Sequence, residues 1–295
     1  MTQVDSTPLI LNGKEVKDAI LKTIRAEISI LKAQNKRLPG LAVVLVGDNP
    51  ASQTYVKNKE KVCIELGLYS EVHKLNNKTQ ESELIKLIYN LNSNKNIDGI
   101  LVQLPLPVHI NSEKIINAID PQKDVDGLHP SNLGKLLSGQ KCLKSCTPQG
   151  VIAILKHYSI NISGMHAVII GRSILVGKPL SLLLLHENAS VTITHSKTSN
   201  LDKITKTADI LVCAIGKPKL VKKHWVKPDA IVIDVGINKD SEGNSNKIVG
   251  DVDFEDVSPV CKAITPTPGG VGPVTIAMLM ANTLQAYKNR TSDKK

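Results

Sequence analysis

Ser52, Tyr55 and Lys59 stand at i, i+3 and i+7, so a helix through them carries a hydroxyl, a phenol ring and an amine on one face. A ring one turn from an amine can hold a flat ligand while the amine works on its reactive carbon. An exposed helix face with a packed tyrosine accounts for the same spacing. Gln103 follows the short apolar run Gly99–Val102, and Pro105 and Pro107 turn the chain away. That puts an amide at the carboxyl end of a strand, where α/β proteins bind ligands. From there it can reach both a ligand and Lys59, or close a hydrogen bond within its own loop. Asp124-Val125-Asp126-Gly127 begins like a calcium loop, but the later ligands of that motif are missing. What is left is an ordinary Asx turn, or a carboxylate placed to accept paired N–H donors.

A second group of residues suits a phosphorylated dinucleotide. Gly171-Arg172-Ser173-Ile174-Leu175-Val176-Gly177 joins the apolar run Ala167–Ile170 to a helix near Pro179–Leu185. Glycines at such a junction let backbone N–H groups approach a pyrophosphate at the helix start. The spacing lacks the tight first glycine pair of the usual fingerprint, so a ligand-free turn fits it equally well. The next strand ends in Thr194-His195-Ser196-Lys197 rather than in an acidic residue. No carboxylate there repels a 2′-phosphate, and Arg172 offers a guanidinium fork, so NADP fits better than NAD. Thr265-Pro266-Thr267-Pro268-Gly269-Gly270-Val271-Gly272-Pro273 combines rigid prolines with glycines that allow close approach. Such a stiff loop suits one wall of a cleft, or a plain crossover into the last helix.

These residues need an α/β frame. Val16, Ile20, Ile24, Ile28 and Leu31 recur at helical spacing until Pro39-Gly40. Leu41–Val46 is a continuous apolar run, as expected of a parallel strand buried on both faces. Asp48-Asn49-Pro50 then supplies a cap and a first-turn proline for a helix to about Leu66, closed by Gly67. A helix near Ser82–Leu91 leads to the strand at Gly99. From Thr147 a new series begins, with a helix at about Gln149–His157 and strands at Ala167–Ile170, Val191–Thr194, Ile210–Ala214 and Ala230–Val235. A helix at Val274–Tyr287 and a polar tail, Lys288–Lys295, complete the chain. The alternation implies mostly parallel sheets.

With 295 residues there is room for about two domains, each with its own core. The five cysteines are scattered and lack metal-ligand spacing, so reduced thiols and no metal are expected. Met1–Leu11 has neither a basic start nor a long apolar run, and Leu180–Leu185 is far short of the roughly 20 residues of a membrane span. A cytoplasmic protein with no membrane partner follows. The net charge of +10 is spread over dispersed lysines, and one Phe and one Trp offer few rings for stacking on bases. Nucleic acid is therefore not an expected partner.

Tyr55-Val56-Lys57-Asn58-Lys59, Leu101-Val102-Gln103-Leu104-Pro105-Leu106-Pro107, Lys123-Asp124-Val125-Asp126-Gly127, Gly171-Arg172-Ser173 and Pro268-Gly269-Gly270-Val271-Gly272-Pro273 occur in one order along the chain. Together they resemble the bifunctional methylenetetrahydrofolate dehydrogenase/methenyltetrahydrofolate cyclohydrolase family, often called FolD, over about Leu11–Tyr287. The resemblance implies two α/β domains with a cleft between them. Residues 1–146, completed by a carboxyl-terminal helix over 272–290, would bind and transform the folate. Residues 147–271 would form a Rossmann-like NADP domain with a parallel sheet. It further implies that Lys59 is the catalytic lysine, that Tyr55 stacks on the aminobenzoyl ring, and that Gln103 and Asp126 orient Lys59 and the pterin. Ser52, Gly270, Gly272, Pro273 and Val274 would line the folate site, and Gly171, Arg172, Ser173, Ser196 and Ile237 would hold NADP. A homodimer acting on tetrahydrofolate derivatives is the implied assembly. From the residues alone, a dehydrogenase for another substrate or a non-catalytic binding protein stays open.

Overall fold

Two runs in which every residue is buried, Gly40–Val46 and Gly99–Val102, are the centres around which one half of the chain packs. The computed structural model describes residues 7–240 and 247–292. The expectations for the chain start before residue 7 and for the tail after residue 292 lie outside the described residues. In chain order the elements are β1 (Leu9–Ile10), α1 (Gly13–Ala33), β2 (Gly40–Val46), α2 (Pro50–Glu65), β3 (Tyr69–Leu75), α3 (Glu81–Ser93), β4 (Gly99–Val102), α4 (Ser112–Ala118), α5 (Pro130–Leu137) and α6 (Cys146–His157). There follow β5 (His166–Ile170), α7 (Gly177–His186), β6 (Ser190–Thr194), α8 (Leu201–Thr205), β7 (Ile210–Cys213), β8 (Ile231–Asp234), β9 (Asn238–Lys239), β10 (Ile248–Val249), α9 (Phe254–Val257), β11 (Ala263–Ile264) and α10 (Val271–Ser292).

These elements form two compact units. One holds Ala19–Cys146 and the chain from Ile276 onward. Its sheet runs β3-β2-β4, all parallel, with β2 in the middle. Successive side chains of a strand point to opposite faces, and β2 divides accordingly. Leu41, Val43 and Leu45 pack with Ile24 and Ile28 of α1, Val56 of α2 and Met280 and Leu284 of α10. Ala42, Val44 and Val46 pack with Leu84 and Ile88 of α3 and Ile115 of α4. β3 was not anticipated, because Tyr69-Ser70-Glu71-Val72-His73-Lys74-Leu75 is an edge strand with no apolar run.

The other unit holds the chain up to Asp18 together with Thr147–Thr275. Its sheet has six strands in the order β1-β11-β8-β7-β5-β6, and all five pairings are parallel. The order reverses between β5 and β7, and such a switch point opens a ligand crevice at the carboxyl ends of the strands. Residues 1–146 were expected to form one domain, but β1 pairs with β11, so the stretch before Asp18 packs with the second unit instead. The last helix starts three residues before the expected Val274, and its first turn, through Thr275, also belongs there. Among the described residues no helix is long and apolar enough to cross a membrane.

The carboxyl-terminal helix is tied to the first unit by a buried carboxylate. Asp98 is fully buried and accepts a bidentate pair from Arg37 at 2.6 and 2.7 Å, a bond from Arg290 at 2.7 Å and one from the Gly40 N–H at 3.0 Å. Arg37 also stacks over Tyr287, 4.9 Å from the ring centre. Asp98→Ala leaves two guanidinium groups without their shared anion. It is expected to destabilise this unit by about 3–5 kcal/mol, to be read from the first transition of a urea titration; a loss below about 1 kcal/mol would deny Asp98 this role.

Candidate active site

α2 begins where the sequence directs it. Asn49 caps it by accepting the Ser52 N–H at 3.0 Å, and Pro50 occupies its first turn. One face of the helix, Ser52, Val56, Lys59 and Cys63, is buried, and Tyr55 is half-buried beside it. The helix follows β2, and Gln103 follows β4. Because β2 and β4 are parallel neighbours, both groups come to the same carboxyl edge of the sheet. There the Lys59 Nζ donates to Gln103 Oε1 at 2.9 Å. The Gln103 amide in turn donates to the Leu104 carbonyl at 2.7 Å, which fixes its oxygen toward Lys59.

Asp126 completes this group from a loop held on all sides. Lys123 is fully buried and gives its three N–H bonds to the carbonyls of Leu91, Asn92 and Asn94, at 2.6–2.9 Å, where α3 ends. Burial pushes its amine down to about 8. Asp124 accepts from the His129 N–H at 2.8 Å and from Asn132 at 2.9 Å, and so closes the turn. Asn282 of α10 donates to the carbonyls of Val125 and Lys144, both at 2.8 Å. With its neighbours pinned, the Asp126 carboxylate is presented to Lys59.

The electrostatics of the pair oppose one another. Burial lowers the Lys59 amine below its ordinary 10.5, and the charge of Asp126 pulls it back up. Burial raises Asp126, and the Lys59 charge holds it down. An amine so placed is more readily neutral than one in water, which a proton-transfer role requires. Cys146, a fully buried thiol, donates to the Val125 carbonyl at 3.2 Å and is raised well above its ordinary value, chiefly by burial. Sequence reasoning read Cys146 as one of five reduced thiols without metal-ligand spacing, and missed Asn282. The one signal for Asn282 was an amide inside the apolar run Met278–Leu284.

The other expected residues belong to the second unit. Gly171, Ser196 and Ile237 follow β5, β6 and β8, so all three lie at the carboxyl edge of the six-stranded sheet. Gly171 has φ +128°, and a Cβ there would run into the Ala214 carbonyl, which explains why glycine starts this loop. Arg172, Ser173, Ser196 and Ile237 are exposed. The first turn of α7 has no capping side chain, and its Lys178 N–H donates to the Ser173 carbonyl at 3.1 Å. These features fit a dinucleotide. The Pro-Gly loop is anchored by the Gly13 N–H, which donates to the Gly269 carbonyl at 2.9 Å. Gly272 and Pro273 are partly accessible, whereas Gly270 and Val274 are buried, with Val274 against Gly150.

Two family models match the chain. "Tetrahydrofolate dehydrogenase/cyclohydrolase, catalytic domain" matches residues 11–126, and "Tetrahydrofolate dehydrogenase/cyclohydrolase, NAD(P)-binding domain" matches residues 145–291. The chain is 51% identical to the "Bifunctional protein FolD" of Acetivibrio thermocellus, over 95% of this chain and 96% of that protein. Among solved structures it resembles the bifunctional FolD methylenetetrahydrofolate dehydrogenase/cyclohydrolase of Campylobacter jejuni, with a TM-score of 0.91, 48% identity and coverage of 95% and 99% of the two chains. It also resembles the Trypanosoma brucei FolD solved with NADP cofactor and inhibitor, with a TM-score of 0.92, 35% identity and coverage of 96% and 98%.

Burial and the Asp126 charge act on Lys59 in opposite directions, with a measurable consequence. Asp126 is a source of upward pull on the amine, so Asp126→Asn should move the Lys59 titration further below its position in the unsubstituted protein. NMR of lysines labelled at Cε follows that resonance; a titration unchanged or moved upward by the substitution would mean that the two groups do not interact.

Proposed function

This chain belongs to the tetrahydrofolate dehydrogenase/cyclohydrolase family, and on that premise we propose that the Lys59, Gln103 and Asp126 group carries out its folate chemistry. The protein oxidises 5,10-methylenetetrahydrofolate to 5,10-methenyltetrahydrofolate with NADP and hydrolyses the product to 10-formyltetrahydrofolate. The observation that supports the site assignment is the buried Lys59 amine, held by Gln103 at 2.9 Å at a strand-end edge. Tyr55, half-buried one turn away, would stack on the aminobenzoyl ring, with Ser52 lining the same pocket. The Asp126 carboxylate would accept the paired N–H donors of the pterin and set the ring against Lys59.

NADP would be held by Gly171, Arg172, Ser173, Ser196 and Ile237, and it supplies the acceptor for the hydride of the methylene carbon. Arg172 would pair with the 2′-phosphate as a fork, which a ribose hydroxyl cannot match. In the hydrolysis a water oxygen bonds to the methenyl carbon, and the neutral Lys59 amine takes a proton from that water. As the carbon–N5 bond breaks, the Lys59 ammonium returns the proton to N5. The remaining hydroxyl proton leaves as the formyl carbonyl forms, so one proton is released overall. Gln103 accepts from Lys59 in either charge state and keeps the amine aimed throughout. By the family resemblance, Gly270, Gly272, Pro273 and Val274 would border the folate.

We also place the reaction in the cytosol, a reading supported by five free thiols, and expect a homodimer. Supporting the latter, β6 is an edge strand of the six-stranded sheet and carries the exposed Ile193.

Mixing the protein with methylenetetrahydrofolate and NADP, and following NADPH, methenyl and formyl species together, tests the assignment. Lys59→Met should lower the hydrolysis rate by about 10²-fold or more while NADP affinity stays near normal. Hydrolysis at the unsubstituted rate would remove Lys59 from the mechanism. Arg172→Ala should weaken NADP by about tenfold and NAD much less; equal losses would show that Arg172 does not read the 2′-phosphate.

A further inference from the structure

Beyond the loops that the family motifs pick out, the second unit contains two buried carboxylates at the same strand-end edge. Asp251 is fully buried, and it accepts four hydrogen bonds from two separate stretches of chain. Three come from the loop that follows β7, from the N–H groups of Ile215 at 2.6 Å, Gly216 at 3.1 Å and Lys217 at 2.9 Å. The fourth comes from the Asn238 side chain at 2.9 Å, at the start of β9. Asp234, at the end of β8, extends the arrangement. It accepts from the N–H groups of Gly236 at 2.9 Å, Asp251 at 3.0 Å and Val252 at 2.9 Å, and its own N–H donates to Thr265 Oγ1 at 2.8 Å.

The packing leaves these loops little freedom. A Cβ at Gly236 would overlap the Asp251 carboxylate and its backbone nitrogen, so the chain passes Asp251 as closely as a backbone can. The segment around Asp251 also runs alongside the end of the β7 loop. The N–H of Lys219 donates to the Gly250 carbonyl, that of Val221 to Asp251, and that of Asp253 to Val221. One carboxylate therefore gathers N–H groups that would otherwise be orphaned in a loop, and ties them to the turn that presents Ile237. Ile237 itself is 47% exposed, an apolar side chain held out from a loop whose neighbours are immobilised beneath it. The third wall of the same edge, Gly171, rests against the Ala214 carbonyl, directly before the three donors.

We propose that Asp251 is a positioning residue for the cofactor: by clamping the Ile215–Lys217 loop to the Asn238 turn, it shapes the switch-point crevice between β5 and β7 and sets Ile237 for NADP. The inference rests on the reading that NADP lies along the loops after β5, β6 and β8. Its physical basis is preorganisation. A loop already satisfied by a buried anion loses no conformational freedom when the ligand arrives, and backbone donors aimed at a carboxylate are among the stronger hydrogen bonds. Asparagine at position 251 keeps the shape, but turns one acceptor oxygen into an N–H₂ group that faces N–H donors.

The test uses the full chain. NADP affinity is measured by calorimetric titration, KM for NADP and kcat by the dehydrogenase assay, and hydrolysis of methenyltetrahydrofolate without NADP as a reference. Asp251→Asn should raise the Kd and KM for NADP about tenfold, with the NADP-free hydrolysis changed less than about twofold. Unaltered NADP affinity, or an equal fall in hydrolysis and affinity, would overturn the proposal. Where Asp251→Asn does not fold, Asn238→Ala removes a single donor to the same carboxylate; it should weaken NADP about threefold and spare hydrolysis, and no change in Kd counts against the clamp. Arg172→Ala in the same titration separates the two levels of the argument. Loss in Arg172→Ala with none in Asp251→Asn rejects only the clamp, and loss in neither rejects the cofactor assignment as well.

Discussion

The first unit is organised around an amine that has been taken out of water but not stripped of its partners. Lys59 is buried, hydrogen-bonded to a neutral amide and set against the charge of Asp126. Each condition is needed for a different reason. Burial favours the neutral amine, the carboxylate restrains that tendency, and the amide aims the nitrogen without choosing its charge. A lysine on an open helix face would be almost wholly protonated at neutral pH, and one buried alone would be costly to keep. Gln103, fixed by the Leu104 carbonyl, and the pinned loop around Asp126 hold this compromise in place.

Both units solve the positioning problem with the same geometry. In each, parallel strands deliver their following loops to one edge, and polar groups from different stretches of chain meet there: α2 and Gln103 in one unit, the loops after β5, β7 and β8 in the other. What holds these loops is also alike in kind. A buried ionic group satisfies backbone groups that a loop would otherwise leave unpaired. Lys123 does so for the carbonyls ending α3, and Asp251 for the N–H groups of the β7 loop. Carbonyls require a cation or other donor and N–H groups an anion, which accounts for a lysine in one place and an aspartate in the other.

The elements written by local chemistry were legible in the chain. α2 carries its own start signal in Asn49 and Pro50, and β2 its own burial signal in the continuous apolar run Leu41–Val46. β3 was not legible, because an edge strand shares its polar pattern with a loop. Lys123 was equally hidden. A lysine in a polar turn looks solvated until the end of α3, some thirty residues earlier in the chain, is found folded over it. The pairing of β1 with β11 was not legible either, because a two-residue strand has no pattern of its own.

The sequence alone determined which residue types are present and in what order: a hydroxyl, a ring and an amine at helical spacing, an amide after a strand, a glycine-started loop after another, and five motifs whose succession identifies a family. Only the tertiary structure decided how those groups feel one another. The Lys59 amine becomes unusual through its distance to Gln103, the nearness of Asp126 and the exclusion of water, and Asp251 becomes significant only once two stretches of chain close over it. Spacing along a chain sets which side chains share a face, but electrostatic energies depend on distance through space and on the water removed between charges, and both are properties of the folded molecule.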